Sequence, residues 1–210
     1  MSLMRRRGLL TVGSDIDWDL EWDYTMGLLE NNGWTKESSG TAPSSMVTEG
    51  QRIQSAMNSW IRLNPPSAYT AITSGIMEVV ASCTYMTGIP GSQPVATSQN
   101  LRLCLSNGAN GIHTLVNGGD GGASTGIGLK IMDNGTPYLC TLISPWVSGA
   151  EHTVRLILNN GIGEVWVDGV KVVGSVDASS ILYASATRIW SQNSNNQPTI
   201  LKSVKLKKYS

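Results

Sequence analysis

The stretch that decides the fold of this 210-residue chain is residues 151–177, which read EHTVRLILNNGIGEVWVDGVKVVGSVD. Apolar residues recur at every second position in two segments of it, a period typical of strands with one buried face. Asn160-Gly161 and Asp168-Gly169 accept the positive φ angles that tight hairpin turns require. The stretch therefore predicts a meander of three antiparallel strands. The residues expected to face inward are Val154, Leu156, Leu158, Val165 and Val167.

The same pattern of short alternating segments and turn dipeptides extends over the rest of the chain. Six Asn-Gly dipeptides separate short alternating runs, and no 15-residue segment keeps a helical period. About a dozen short antiparallel strands must close into a barrel or stack as a sandwich, because each has one apolar face to bury. We therefore predict an all-β fold. No interior linker divides the chain, so we expect a loose basic N-terminus at 1–13 and a single domain at 14–210.

Composition and charge exclude several classes of protein. Fifteen basic and fifteen acidic residues cancel, so nothing in the overall charge points to a nucleic-acid partner. No apolar run approaches the length of a membrane span, and the patch at 8–12 is too short for a signal peptide. Cys83, Cys104 and Cys140 fit no metal or redox spacing. We interpret them as buried small residues, with one disulfide plus one thiol left open.

Two motifs within the opening stretch resemble the concanavalin A-like, laminin-G-like β-sandwich superfamily. They are the strand His152-Thr-Val-Arg-Leu156 and the hairpin Val165-Trp-Val-Asp-Gly169. The closing segment around Ile189-Trp190 and Val204-Lys-Leu206 is similar to the final strand of that family, which returns to pair near the first. Asn32-Gly-Trp34 also suits the family. The resemblance covers the chain from about Trp22 onward and implies a jelly-roll β-sandwich of two antiparallel sheets.

The opening Met4-Arg-Arg-Arg-Gly8, followed directly by such a domain, resembles minor structural proteins of tailed phages and prophages. These proteins often attach lectin-like sandwiches to virions. The resemblance implies a virion component that reaches the outside by cell lysis, without a signal peptide. Its expected partners are other virion proteins, a host-surface glycan and further copies of itself, with no nucleic acid and no membrane insertion.

Residues 15–23 read DIDWDLEWD and alternate acidic with large apolar side chains. Glucanases of the superfamily carry a row of carboxylates on one strand, which Asp17, Asp19 and Glu21 imitate. Their row begins with Glu and lies in mid-chain, unlike this one. Calcium is a second hypothesis, but same-face carboxylates on a strand stand about 6.6–6.8 Å apart, against Ca–O distances of about 2.3–2.6 Å. We favour a strand with a solvated acidic side and with Trp18, Leu20 and Trp22 facing inward.

Ligand contacts are expected at loops and aromatic side chains. The glycine-rich segment 118–128 matches no phosphate-binding motif, and we interpret it as a flexible loop that could line the rim of a sugar site. Tryptophan and tyrosine rings offer platforms for a sugar ring, and Trp34, Trp60 and Trp166 could serve as well as those chosen. The predicted contacts are Asn117, Asp120, Tyr138, Trp146 and Trp190.

The histidines do not indicate an enzyme. His113 and His152 are too few for a three-histidine zinc site, and neither has a recognisable Ser or Cys partner. We expect no catalytic residue and no cofactor, with Ca²⁺ as a less favoured alternative. The favoured function is a non-enzymatic binding or structural module. A glycoside hydrolase or lyase of the same fold and a virion protein without a ligand remain as alternatives. The sequence leaves open which glycan is bound and which sheet is concave.

Overall fold

The fold is described from a computed structural model. It describes residues 16–40, 44–55, 59–83, 99–107, 111–117, 129–133, 136–141, 147, 149–180, 186–192 and 198–210. These residues form strands and three short 3-10 turns at Tyr24–Met26, Leu29–Asn32 and Ser67–Tyr69. Within them there is no helix of the length and apolarity that a membrane crossing needs.

The described strands, numbered in chain order, form two sheets. The eight-stranded sheet contains β1 (Leu20–Asp23), β3 (Ser44–Val47), β4 (Gly50–Ile53), β6 (Gly75–Cys83), β11 (Glu151–Asn159), β12 (Ile162–Val167), β13 (Val170–Asp177) and β15 (Thr199–Lys208). The seven-stranded sheet contains β2 (Thr35–Ser39), β5 (Trp60–Asn64), β7 (Gln99–Asn107), β8 (Gly111–Asn117), β9 (Leu129–Asp133), β10 (Thr136–Thr141) and β14 (Ala186–Gln192).

The topology is that of a two-sheet jelly-roll sandwich, as the sequence predicts. The strand orders are β13-β12-β11-β6-β15-β4-β3, with β1 also on β15, and β10-β9-β8-β7-β14-β5-β2. The described pairings are antiparallel. Strands distant in sequence lie side by side, as β6 does between β11 and β15, so the connections cross over in Greek-key fashion. The boundary expected at residue 13 stays a prediction, because 1–15 lie outside the described residues.

The two sheets bury one face each against the other. From the eight-stranded sheet, Met77, Val79, Val154, Leu156 and Val165 are fully buried in this core. From the seven-stranded sheet, Ile61, Leu63, Leu103, Ile112 and Ile189 meet them. Such side chains stabilise the fold by about 1.5–3 kcal/mol each when fully buried, before conformational entropy is counted.

The opening meander is confirmed as β11, β12 and β13. Both of its turns have the predicted left-handed residues, with φ of 48° at Asn160 and 49° at Asp168. Gly161 and Gly169 follow with φ of 78° and 79°, which is the pair of positive angles that a type I′ turn needs. The side chains of β11 alternate buried and half-buried along the strand, as the period of two predicts.

The acidic row lies opposite the lysines of the last strand. Strand β1 pairs with β15, with Glu21 directly opposite Lys205 and their charged atoms 3.0 Å apart. Asp19 accepts hydrogen bonds from the Lys207 ammonium at 2.9 Å and from the Lys208 backbone N–H at 2.7 Å. The interpretation as a solvated strand side is therefore right for these residues. The acids and the lysines stand near opposite ends of the sequence, whereas the fold pairs them.

The apolar side chains of residues 15–23 face inward only in part, although all three were expected to. Trp22 is buried and belongs to the core, and Leu20 packs against it. Trp18 is half-buried rather than enclosed, and the Lys205 ammonium lies 5.7 Å from its ring centroid. The Lys205 ammonium is therefore within cation–π distance of the Trp18 ring.

A buried glutamine joins the segment after β1 to strand β4. The Gln51 side chain accepts a hydrogen bond from the Leu29 backbone N–H at 2.8 Å. Its amide nitrogen donates to the Glu30 carboxylate at 2.7 Å and to the Ser44 hydroxyl at 2.8 Å. Gln51 is fully buried, so these bonds replace those that its amide makes to water in the unfolded chain.

Two of the three cysteines are buried, as interpreted. Cys83 and Cys104 are thiols with no exposed surface. Burial raises the pKa of Cys83 to about 12, although the Thr199 hydroxyl beside it acts in the opposite direction. The side chain of Cys140 lies outside the described residues.

Asp19 should contribute to the pH dependence of stability. The Lys208 N–H and then the Lys207 ammonium lower its pKa below the ordinary value of 3.8. A depressed carboxylate pKa gives stability that is present above pH 3.8 and is lost as the pH falls below it. We expect Asp19→Asn to lower the free energy of unfolding at pH 7 by about 0.5–1 kcal/mol and to flatten the acid decline. Asp17→Asn is the control, since the Asp17 side chain is fully exposed; equal effects of both changes in urea titrations would contradict the assignment.

Replacing Gln51 by Leu should destabilise the protein although the two side chains are similar in size. The change leaves the buried Leu29 N–H without its acceptor, at a cost of about 1–3 kcal/mol. Urea unfolding of Gln51→Leu measures this, with Gln192→Leu as a control at the half-buried end of β14. A Gln51→Leu protein as stable as the native one would show that these bonds contribute nothing net.

Candidate ligand-binding site

The outer face of the seven-stranded sheet, meaning the face turned away from the core, carries large polar and aromatic side chains. Because alternate residues of a strand point to opposite faces, burial of Ile61, Leu63 and Ile189 in the core places their neighbours on the outer face. Apart from Asn64, those neighbours are tryptophans and arginines. On strands β5, β14 and β7 they are Trp60, Arg62, Arg188, Trp190 and Arg102.

Strand pairing aligns these residues into one row. Trp190 on β14 lies directly opposite Arg62 on β5 and directly opposite Arg102 on β7. Glu37 on the edge strand β2 lies opposite Arg62 in turn. We call Trp60, Arg62, Trp190 and Arg102 the tryptophan–arginine row.

The members of the row stack on one another. The Arg62 guanidinium carbon is 4.0 Å from the centroid of the Trp60 ring and 4.3 Å from that of Trp190. The Arg102 guanidinium carbon is also 4.3 Å from the Trp190 centroid. Each such cation–π contact contributes about 0.5–2 kcal/mol. The stacking fixes the planes of two flexible side chains before any ligand arrives.

Exposure increases along the row towards the sheet edge. Arg102 and Trp190 are 6% and 9% exposed. Trp60 is half-buried, and the Arg62 side chain is 25% exposed. The carboxylate of Glu37 is 3.9 Å from the Arg62 guanidinium, on a side chain that is 53% exposed. The β2–β5 end is therefore the end that a ligand in solution can reach.

His113 supports the buried end of the row. The Arg102 guanidinium donates a hydrogen bond to its Nδ1 atom at 2.9 Å. Burial, and then the positive charge of Arg102, hold the pKa of His113 well below its usual value. The ring is neutral at physiological pH, because a proton on Nδ1 would compete with the Arg102 donor. His113 thus orients Arg102 and adds no charge.

The indole N–H of Trp190 adds a further donor. Its nitrogen is buried and has no hydrogen-bond partner in the structure that is described. Buried polar groups are usually paired, so this N–H group can donate to an acceptor of a bound ligand. The row therefore presents N–H groups from Arg62, Arg102 and Trp190 close together.

The outer face of the eight-stranded sheet is organised differently. Its central row alternates in charge over four paired strands, from Glu21 to Arg155, and Glu78 and Arg155 form an ion pair. Trp166 and Lys171 continue the row, and Lys171 pairs with Glu164. A shallow pocket there is lined by Glu78, Thr153, Arg155, Trp166 and Gly169. The charges of this row balance one another, which is what a solvated sheet face needs. The row consists of Glu21, Lys205, Glu78, Arg155, Trp166 and Lys171.

The second histidine has a structural role. His152 Nδ1 donates to the Asp168 carboxylate at 2.7 Å, and its Nε2 accepts a hydrogen bond from the Val147 backbone N–H at 3.2 Å. The other oxygen of Asp168 accepts from the Thr153 N–H at 2.8 Å. A histidine that serves as a general base needs its Nε2 lone pair for a substrate proton, and here a backbone N–H occupies it. The pair therefore clamps residue 147 to the hairpin turn.

Of the five predicted ligand contacts, Trp190 lies in the tryptophan–arginine row. Asn117 ends β8 and pairs with Gln99, and Tyr138 is at an irregularity of β10 beside β9. The side chains of Asn117 and Tyr138, and all of Asp120 and Trp146, lie outside the described residues.

Neither arginine of the row was among the ligand contacts predicted from the sequence. Arg102 stands between Leu101 and Leu103, and Arg62 between Ile61 and Leu63. A charged residue flanked by inward-facing apolar ones was a signal, but the same pattern describes any solvated strand. Trp60 and Trp34 were both given as alternative platforms for a sugar ring. Trp60 lies in the row, whereas Trp34 is buried in the core.

No group of three metal-ligating side chains occurs within the described parts of the chain. The weak metal candidates are each placed near a lysine: Asp19 and Glu21 form ion pairs, and Asp17 is 4.0 Å from Lys207. An ammonium group beside a carboxylate competes with a cation for it.

Comparisons with known proteins show the class of fold. No family model matches the chain, and neither does the sequence of any curated protein. Among solved structures, the metal-free carbohydrate recognition domain of Emp46p is 14% identical, with a TM-score of 0.58 over 91% of this chain and 98% of that one. The exoplasmic/lumenal domain of VIP36, bound to Ca²⁺ and mannose, is 7% identical, with a TM-score of 0.56 over 84% and 83%.

A protein of unknown function from Shewanella oneidensis MR-1 is also similar, at 11% identity and a TM-score of 0.56 over 89% of this chain and 84% of that one. Identities this low show a shared fold and no more. The chain therefore has the fold of a two-sheet jelly-roll β-sandwich, which it shares with these domains.

Replacing His152 by Ala tests the clamp. The change removes one of the two partners of the Asp168 carboxylate and the acceptor of the Val147 N–H. We expect the free energy of unfolding to fall by about 1–3 kcal/mol. Lys171→Ala, which removes an ion pair with a partly exposed lysine, should cost less than about 1 kcal/mol. Denaturant unfolding of both variants gives the comparison; equal losses would argue against the clamp.

Proposed function

We propose that this protein is a non-enzymatic carbohydrate-binding module that binds its glycan on the outer face of the seven-stranded sheet. The observation that carries the proposal is the tryptophan–arginine row, with its open end at Trp60 and Arg62. Rigid aromatic faces combined with a few fixed polar groups are typical of ligand sites. The carbohydrate domain of Emp46p and mannose-bound VIP36 share this fold, which favours a sugar as the ligand class.

In the proposed complex the C–H face of a sugar ring lies on the Trp60 indole. Neighbouring hydroxyl groups accept hydrogen bonds from the Arg62 guanidinium, and one donates to the Glu37 carboxylate beside it. The stack with Trp190 holds Arg62 in place, so little side-chain entropy is lost when the sugar binds.

A hydrolase is less well supported. Glycoside hydrolysis generally uses two carboxyl groups, about 5–5.5 Å apart for retention or about 6.5–9.5 Å for inversion. Among the residues of this face whose side chains are described, Glu37 is the one carboxylate. The remaining polar groups of the row donate hydrogen bonds or carry positive charge, which suits binding rather than general acid–base chemistry.

The place of action that we propose is the surface of a virion, or the medium after cell lysis. This part rests on the resemblance of the Met4–Gly8 opening to phage structural proteins, and these residues lie outside the described ones. Attachment to other virion proteins would carry the sandwich to a host-surface glycan. Calcium has no step in the proposed binding, and a chelator control tests that directly.

The test is binding of the full chain to a broad glycan array, with and without EDTA, for the native protein, Trp60→Ala and Trp166→Ala. Trp60→Ala should weaken binding by about tenfold or more, which corresponds to about 1.4 kcal/mol or more. Trp166→Ala is the matched control, because Trp166 is also half-buried and carries a stacked cation, but on the other sheet.

Thermal unfolding of both variants checks that they fold. Binding lost in Trp166→Ala and kept in Trp60→Ala would move the site to the other sheet. Binding lost in EDTA would bring calcium into the mechanism. Absence of binding to every glycan would overturn the lectin function and favour a virion protein without a ligand.

A further inference from the structure

We propose that the tryptophan–arginine row selects an acidic saccharide, whose carboxylate or sulfate group binds at the guanidinium edges of Arg62 and Arg102. This inference rests on the carbohydrate-binding function proposed above and names its ligand class. Three observations support it: the charges on the outer face of the seven-stranded sheet, the orientation of the arginine N–H groups, and the buried indole N–H of Trp190.

The described charges on this face are mostly positive. Among the residues of this face whose side chains are described, Arg62, Arg102 and Arg188 are the cations and Glu37 is the one carboxylate. The chain as a whole has no net charge, so the positive excess among these described side chains is a property of this face and not of the whole chain. Arginine stays protonated in proteins, and at 6% and 9% exposure Arg102 and Arg188 are largely shielded from water. A ligand that carries negative charge is attracted more strongly in such surroundings than at an open surface.

The stacking determines which atoms of the arginines can meet a ligand. The indole rings of Trp60 and Trp190 lie against the guanidinium group of Arg62. The N–H bonds of a guanidinium lie in its own plane, so a stacked arginine contacts a ligand through its edge. That edge matches the two oxygens of a carboxylate or sulfate, and the paired hydrogen bonds are stronger than those to a neutral hydroxyl.

Among the described groups, those that border the Trp190 ring are donors. The buried indole N–H of Trp190 has no acceptor among the described residues, and Arg62 and Arg102 lie on either side of Trp190. The neutral His113 accepts from Arg102 and fixes it. A neutral sugar hydroxyl brings a donor of its own into such a site, whereas an ionised acid group brings acceptors alone. The donor-rich stack therefore favours the acid group.

Substitution of Glu37 distinguishes an acidic ligand from a neutral one most directly. Its carboxylate stands 3.9 Å from Arg62 at the open end of the row, where it competes with an acid group of the ligand. Glu37→Gln should therefore raise the affinity for an acidic glycan by about two- to tenfold. For a neutral glycan that donates to this carboxylate, the same change should leave the affinity unchanged or lower it.

The matched control is Glu21→Gln. Glu21 has almost the same exposure as Glu37, 54% against 53%, and is also paired with a basic side chain, but it lies on the other sheet. The change in net charge is identical, so a general electrostatic effect would appear in both variants. Arg62→Lys keeps the charge and removes the planar edge, and we expect it to weaken binding of the acidic glycan by about tenfold.

The experiment uses the full chain and pairs of glycans that differ in the acid group alone: sialylated and desialylated, uronate and carboxyl-reduced, sulfated and desulfated. Titration calorimetry at low and at physiological salt measures each pair, and thermal unfolding confirms that each variant folds. We expect the acidic member of at least one pair to bind about tenfold or more tightly than its neutral partner, and its affinity to fall as salt rises.

The outcomes separate the two proposals. Preference for an acidic glycan, with a gain in Glu37→Gln and none in Glu21→Gln, supports the acidic class. Equal or stronger binding of the neutral partners overturns the acidic class and leaves the carbohydrate-binding function standing. Equal gains in both glutamate variants also overturn it, since charge alone would then explain them. Failure to bind any glycan overturns both proposals.

Discussion

Burial of one face of each sheet against the other is the constraint on which the rest of this structure depends. Leucines, isoleucines and valines from both sheets fill the space between them. Because a strand sends alternate residues to opposite faces, every inward-facing side chain commits its neighbours to the outer surface. The polar row of the seven-stranded sheet is a direct consequence: Arg62 lies outside because Ile61 and Leu63 lie inside.

The two outer faces show two ways of meeting that constraint. On the eight-stranded sheet, opposite charges face each other across neighbouring strands, as in the pairs Glu21–Lys205 and Glu78–Arg155. The charges of that face therefore neutralise one another. On the seven-stranded sheet, the indole ring of Trp190 separates the guanidinium groups of Arg62 and Arg102. Stacking on this ring holds two like charges on the strands that flank β14, and this difference makes the second face the better candidate for a ligand.

The last strand shows how the ends of the chain complete the sandwich. Strand β15 pairs with β6 on one side and, end to end, with β4 and β1 on the other. It therefore joins the first described strand to the middle of the sheet, and Gln51 ties the intervening segment to the same place. Long-range pairing of this kind brings the acidic row to the lysines of β15, although they stand at opposite ends of the sequence.

The sequence by itself determined the fold class and the opening meander, because hairpin turns and a period of two are local properties that neighbouring residues set. The turn residues Asn160 and Asp168 have the backbone angles that their types predict. The sequence also named Trp190, although without its partners. Only the tertiary structure decided that Arg62, Trp190 and Arg102 form one row, since they come from three strands distant in the chain. Which strands become neighbours follows from burying two sheets at once, and no local pattern contains that information.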